Sequence, residues 1–167
     1  MTRAPFQGVP QSDYRLLHPE KERGTAILGI RTDKHQAELY LYSVKGRTFH
    51  NDDKKKLGQL KWQAHLELSK TIHSQIKRLL NKSNVCWNDI QGIVCFKGPG
   101  SFTGLRIGLT VANALASANH IPIVARRGQG WIQEGIEDLL AGNPPAGGDK
   151  IAVPAYGSPP NITKPKK

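Results

Sequence analysis

Acidic residues are scarce in this chain. Thirteen Asp and Glu stand against 24 Lys and Arg, a formal net charge of +11. That imbalance favours an anionic partner, with nucleic acid first, over an acidic one. Cysteine is almost absent. Cys86 and Cys95 fit no metal-ligand spacing, which excludes a zinc knuckle and a disulfide framework. Cys95 sits in an apolar run and reads as a small core residue. Long hydrophobic runs are missing, and none approaches the ~20 residues of a membrane span. The opening "MTRAPFQGVPQSDYRLL" has no apolar signal core. A cytoplasmic protein that meets no membrane is the expectation.

What is present is enough chain, 167 residues, for one domain with a real core. Residues 1–24 mix proline, glycine and charge without a period and read as a flexible N-terminal arm. "TAILGIR" (Thr25–Arg31) suits a buried strand. "AELYLYS" alternates, with Ala37, Leu39 and Leu41 on one face and Glu38, Tyr40 and Tyr42 on the other. "VKGR" reads as a turn and "RTFHN" (47–51) as a third strand. A helix is expected from about Trp62 to Asn81, since Leu68, Ile72, Ile76 and Leu79 form one helical stripe. His65 and Ser69 fall within that arc and His73 at its edge. "QGIVCF" (Gln91–Phe96) and "IPIVA" (Ile121–Ala125) read as strands flanking a second helix that ends at Ala118. "WIQEGIEDLLA" reads as a third helix. Residues 142–167 form a Pro/Gly/Lys-rich C-terminal tail, with at most a short strand near Ile151–Val153. The order predicts an α/β lobe: a mixed five-stranded sheet, made of a three-strand meander plus two parallel strands, with helices packed on it. The basic charge is uneven, because Lys54–Lys82 carries eight Lys and Arg and one acid, Glu67.

"GPGSFTGLRIG" (Gly98–Gly108) is the densest glycine stretch. A Walker loop needs a lysine after its last glycine, and Leu105 stands there instead. A dinucleotide fingerprint needs its third glycine one residue before Gly104. Both templates fail. On a helical wheel, Gly104, Gly108, Ala112 and Ala116 form a row of small residues, and Arg106, Thr110, Asn113 and Ser117 form a narrow polar strip. Such a row lets another backbone come close, since glycine inside a helix otherwise costs ~1 kcal/mol relative to alanine. The neighbour is either the domain's own sheet or first helix, or another chain. The wheel leans toward another chain.

These residues carry a family likeness. "GPGSFTGLRIGLTVANALA" (Gly98–Ala116) closely resembles the signature of the TsaB family, the tRNA threonylcarbamoyladenosine biosynthesis proteins. "AILGIRTDKHQAELYLY" resembles that family's opening hairpin and "HLELSKTIHSQIKRLL" its first helix. "NDIQGIVCF" and "IPIVA" resemble the strands on either side of the signature. The likeness covers about Thr25–Leu140. It implies one N-terminal lobe of the actin-like and Hsp70-like ATPase fold, which is also ribonuclease H-like. It implies a non-catalytic scaffold subunit, with no cofactor of its own, that pairs through its first two helices with a TsaD-like catalytic subunit. A TsaE-like ATPase would complete the complex, ATP and metal being used by the partner subunits, and a homodimer would form in isolation. The product would be threonylcarbamoyladenosine beside the tRNA anticodon, with direct contact between this chain and tRNA left open.

The interface residues expected from that pairing are His65, Leu66, Ser69 and His73 on the first helix. On the second they are Phe102, Leu105, Arg106, Leu109 and Asn113. Gly98, Gly100, Gly104, Gly108 and Ala112 are the expected close-packing small residues. Two departures stand out. Arg31 occupies the place where the family usually has an aspartate, with Asp33 two residues on. After Leu140 there is too little chain for a second lobe. The rival readings are a standalone basic RNA-binding module and, less well supported, a degenerate ATPase or sugar-kinase-like enzyme. A ribonuclease H-like nuclease needs clustered carboxylates for two metals, which strand one and "QGIVCF" do not supply. A serine hydrolase needs a Gly-x-Ser-x-Gly elbow, and the chain has none.

Overall fold

The computed structural model describes residues 25–44, 54–142 and 151–157. The N-terminal arm and the strand expected at 47–51 lie outside them. The chain runs β1 (Thr25–Arg31), β2 (Gln36–Val44), β3 (Lys54–Gln63), α1 (Leu68–Lys82), β4 (Ile90–Phe96), α2 (Phe102–Ala118), β5 (Ile123–Arg126) and α3 (Trp131–Leu140). The five strands form one sheet in the order β3-β2-β1-β4-β5. β1, β2 and β3 pair antiparallel, while β4 lies parallel to both β1 and β5. This is the expected mixed sheet, a meander continued by two parallel strands whose crossovers are helices.

Alternation along the strands sorts the core into two layers. Ala26, Leu28 and Ile30 of β1 face the same way as Ala37, Leu39 and Leu41 of β2. They pack under Leu68, Ile72, Ile76 and Leu79 of α1 and Leu109, Ala112 and Ala116 of α2. On the opposite face, Ile27, Val94 and Phe96 meet Trp131, Ile132 and Ile136 of α3. The Trp131 ring stands edge-on to both Tyr40 and Phe96, at 5.9 Å from each. Cys95 is buried in the first layer, as expected, and burial pushes its thiol pKa up.

Two boundaries differ from expectation. The lysine-rich stretch from Lys54 forms β3, and Trp62 belongs to that strand rather than to the first helix. The reason is positional. β3 is an edge strand, where lysines face water and discourage further pairing, so only Leu60 and Trp62 reach the core layer. Its register also shifts opposite Leu41 and Tyr42, which breaks the period that would have marked it. A short 3-10 turn, His65–Glu67, then precedes α1. No strand forms at Ile151–Val153. Residues 151–157 instead lie along the lobe, and Ala152 is buried in the first layer.

Candidate interface at the glycine turn and the helix pair

β1 ends at Arg31, and the next two residues, Thr32 and Asp33, are both buried. They run directly against the start of α2. The Thr32 hydroxyl donates to the carbonyl oxygen of Gly104 at 2.8 Å, and the Ser101 amide donates to the carbonyl oxygen of Asp33 at 2.7 Å. Ser101 also caps α2, its hydroxyl accepting from the Gly104 amide at 3.2 Å. A Cβ on Gly104 would run into the Thr32 carbonyl oxygen. One on Gly108 would overlap the Thr32 side chain, whose Cβ and Cγ2 would stand at 3.0 Å. Gly100 approaches Asp33 in the same way, and Gly98, at φ +115°, lies against the backbone of Ala155.

The close neighbour of the glycine row is therefore the chain itself, which corrects the lean toward a foreign backbone. Gly98, Gly100, Gly104 and Gly108 close-pack on residues 32–33 and 155, and Ala112 is fully buried. Leu105 and Leu109 are also withdrawn from the expected interface. Their exposures are 0% and 3%, so both serve the core. A helical wheel reports which residues share a side. It does not report where the sheet lies.

At the end of β1 the Arg31 guanidinium grips Asp33, with Nε donating to Oδ1 at 2.7 Å and Nη2 to Oδ2 at 3.1 Å. It also sits over the Phe96 ring, 4.3 Å from the centroid. The hydrogen bond to Asp33 raises the Arg31 pKa against the lowering effect of burial, and the Glu38 carboxylate adds to the rise. The carboxylate just past strand one is thus held by a fixed internal cation. Among the described residues no three of His, Cys, Asp and Glu gather in a way that could hold a metal ion.

Residues 151–157 flank α2. Asn113 reads the backbone of Ala152 in both directions, donating to its carbonyl at 2.9 Å and accepting from its amide at 2.8 Å. The Ala155 amide donates to the Lys97 carbonyl at 2.7 Å. Tyr156 stacks on Phe102 with centroids 3.9 Å apart, and the Arg106 guanidinium stands 5.0 Å from the same ring. Phe102 and Asn113 are therefore engaged with their own chain, though Phe102 keeps 42% exposure. Neither Tyr156 nor the strap as a whole was legible beforehand. Its one sequence signal was the place of Asn113 on the polar strip of α2.

The remaining expected residues lie open. His65, Leu66, Ser69 and His73 are exposed, Leu66 at 81%, and Arg106 is exposed on α2. The turn presenting Leu66 is tied down, because the amides of Ala64 and His65 both donate to the His35 carbonyl, at 2.8 and 3.2 Å. The His35 and His65 rings meet edge to face at 4.8 Å. Leu66 is thus held outward by a fixed backbone.

The sheet order and the placement of α1 and α2 on one face and α3 on the other define a single lobe of the actin-like, ribonuclease H-like ATPase fold. A structure of YeaZ from Pseudomonas aeruginosa shares this fold, at TM-score 0.50 and 21% identity over 62% of this chain and 44% of that one. The profile of the family described as TsaD, tRNA N6-adenosine threonylcarbamoyltransferase, matches residues 55–125. The tRNA threonylcarbamoyladenosine biosynthesis protein TsaB of Escherichia coli is 34% identical over 89 residues, 47% of this chain and 38% of that protein. Its Bacillus subtilis counterpart is 48% identical over 54 residues, 32% of this chain and 22% of that protein. A tRNA N6-adenosine threonylcarbamoyltransferase of Saccharolobus islandicus is 31% identical over 134 residues, 77% of this chain and 39% of that protein. Over this lobe the chain is similar to both TsaB and TsaD proteins. It spans about two-fifths or less of the length of these curated relatives.

Proposed function

We propose that this chain is a scaffold subunit in the formation of threonylcarbamoyladenosine on tRNA, and that it pairs through α1 and α2 with a TsaD-like catalytic subunit. The observation that carries the proposal is Leu66, an 81% exposed leucine on a tethered turn at the start of α1, in a lobe similar to TsaB. An exposed apolar anchor on a rigid backbone, ringed by His65, Ser69 and His73, suits a buried contact better than it suits water. Arg106 would add a directional polar contact from α2. The grip of Arg31 on Asp33 supports a non-catalytic role, because both oxygens of the carboxylate just past β1 already accept from an internal guanidinium. ATP and metal would be handled by the TsaD-like and TsaE-like partners. In isolation the same face would close on itself in a two-fold homodimer.

Co-expression with the TsaD-like protein of the same organism, followed by size-exclusion chromatography, tests this reading. Co-elution that Leu66→Asp abolishes, with the circular dichroism of the variant unchanged, is the expected result. Failure of the native pair to co-elute overturns it.

A further inference from the structure

The basic stretch 54–82 becomes a defined surface once folded. Trp62 Nε1 donates to Thr71 Oγ1 at 3.1 Å. At the other end, a Cβ on Gly58 would meet Ser83 Oγ at 2.5 Å and Leu79 Cδ1 at 3.0 Å. α1 therefore runs antiparallel along β3, crossing it near Thr71 at one end and Ser83 at the other. The two ends differ in charge balance. Toward Trp62, Lys61 pairs with Glu38 at 3.0 Å and Lys70 with Glu67 at 3.2 Å. Toward Gly58 and Ser83, Lys55, Lys77, Arg78 and Lys82 are exposed, and none has an ion-pair partner among the described residues. Lys55 lies only three residues, about 10 Å, from Gly58 along an extended strand. Lys77, Arg78 and Lys82 fall within about 8 Å of helix rise.

We infer that this corner, where the end of α1 crosses the edge strand, binds the phosphate backbone of RNA. The inference rests on the family reading for its choice of RNA over other polyanions. A bare, strongly hydrated cluster of lysines is suited to phosphates, which it contacts by position rather than by sequence. The opposite end of the same layer carries similar lysines already neutralised by carboxylates, so it is the fold, and not composition, that concentrates free charge here. The corner differs from the face around Leu66, at the start of α1. A docked catalytic subunit and a bound tRNA would therefore lie toward opposite ends of that helix.

Filter binding of the full chain to a tRNA transcript, between about 50 and 200 mM salt, tests the inference. The triple variant Lys77→Gln, Arg78→Gln, Lys82→Gln removes charge from the corner. Lys34→Gln, Lys97→Gln, Arg127→Gln removes the same charge elsewhere. Each phosphate contact contributes a slope of about −0.7 to −0.9 in log affinity against log salt. The corner variant should therefore be about 2 to 3 slope units shallower and bind roughly a hundred-fold more weakly near 0.1 M salt. The control variant should bind within about three-fold of the native chain. Equal loss in both variants, no salt-dependent tRNA binding by the native chain, or stronger binding to phosphatidylserine vesicles than to tRNA would overturn it. Neither variant touches Leu66, so loss of RNA binding with co-elution intact separates this failure from that of the pairing proposal.

Discussion

Thr32 and Gly104 are 72 residues apart in sequence, and the hydroxyl of the first donates to the carbonyl of the second at 2.8 Å. That bond ties the end of β1 to the first turn of α2. It explains why the glycines of the signature stand where they do. They leave room for the segment that makes this bond.

Substitutions along the row should therefore destabilise the lobe itself. A methyl at Gly104 meets backbone, the Thr32 carbonyl, whereas one at Gly108 meets only the Thr32 side chain. Gly104→Ala should cost more than Gly108→Ala. The second should cost roughly 1–3 kcal/mol of overpacking, offset by up to ~1 kcal/mol of helix propensity. Gly108→Leu should unfold the domain. Urea midpoints for the two alanine variants check the order, and equal midpoints would show that the approach of residue 32 is not tight.

Breaking the pair at the end of β1 should be felt in stability. Arg31→Met leaves the Asp33 carboxylate, 5% exposed, without its partner. A loss of roughly 1–3 kcal/mol is expected. Adding Asp33→Asn should recover part of it, giving a coupling of about 0.5–3 kcal/mol in a double-mutant cycle. Strictly additive losses would mean that the two side chains act independently.

Asn113→Ala should free the strap without unfolding the lobe. Both amide hydrogen bonds to Ala152 disappear, which is worth roughly 1–2 kcal/mol locally. Hydrogen exchange at the Ala152 amide should accelerate while that of the buried Ile93 amide, inside β4, stays slow. Uniform acceleration across the sheet would contradict a local role.

The protein should lose stability on the alkaline side. Burial raises the pKa of Cys95, and burial together with its bond to Glu38 raises that of Tyr40; burial also raises Tyr42. All three are neutral when protonated. Above about pH 8.5, where an unfolded thiol ionises, the unfolded chain binds fewer protons than the native one, so stability falls as pH rises. The contribution is intact below that value and is lost progressively toward the raised native values. Cys95→Ala should flatten the decline between about pH 8.5 and 10 whatever it does to stability at neutral pH. An unchanged slope would place the alkaline loss elsewhere.

Much of the lobe was legible in the amino acids. The alternation of Ala37, Leu39 and Leu41 with Glu38, Tyr40 and Tyr42 assigns β2 and its two faces, and both appear as read. The stripe Leu68, Ile72, Ile76 and Leu79 fixes α1 to the sheet, and all four are buried. These patterns are local and periodic, so short-range chemistry is enough to read them. The strand at Lys54–Gln63 went unread because its burial is one-sided and shallow. An edge strand paired on one side only can fill solvent-facing positions with lysine, which hides its period.

Which surfaces stay open was a different kind of question. Leu105, Leu109 and Leu66 are the same residue type on neighbouring elements, yet the first two are core and the third is 81% exposed. No local pattern separates them, because exposure depends on what the rest of the chain brings alongside. The chain order by itself determined β1, β2, β4, β5, the helices and the small-residue row. Only the tertiary fold decided that the row receives Thr32, that Asn113 holds residue 152, and that the β3 end near Gly58 lies beside the end of α1. Each of these joins residues far apart in sequence, and such contacts are set by packing the whole sheet at once rather than by the residues that take part in them.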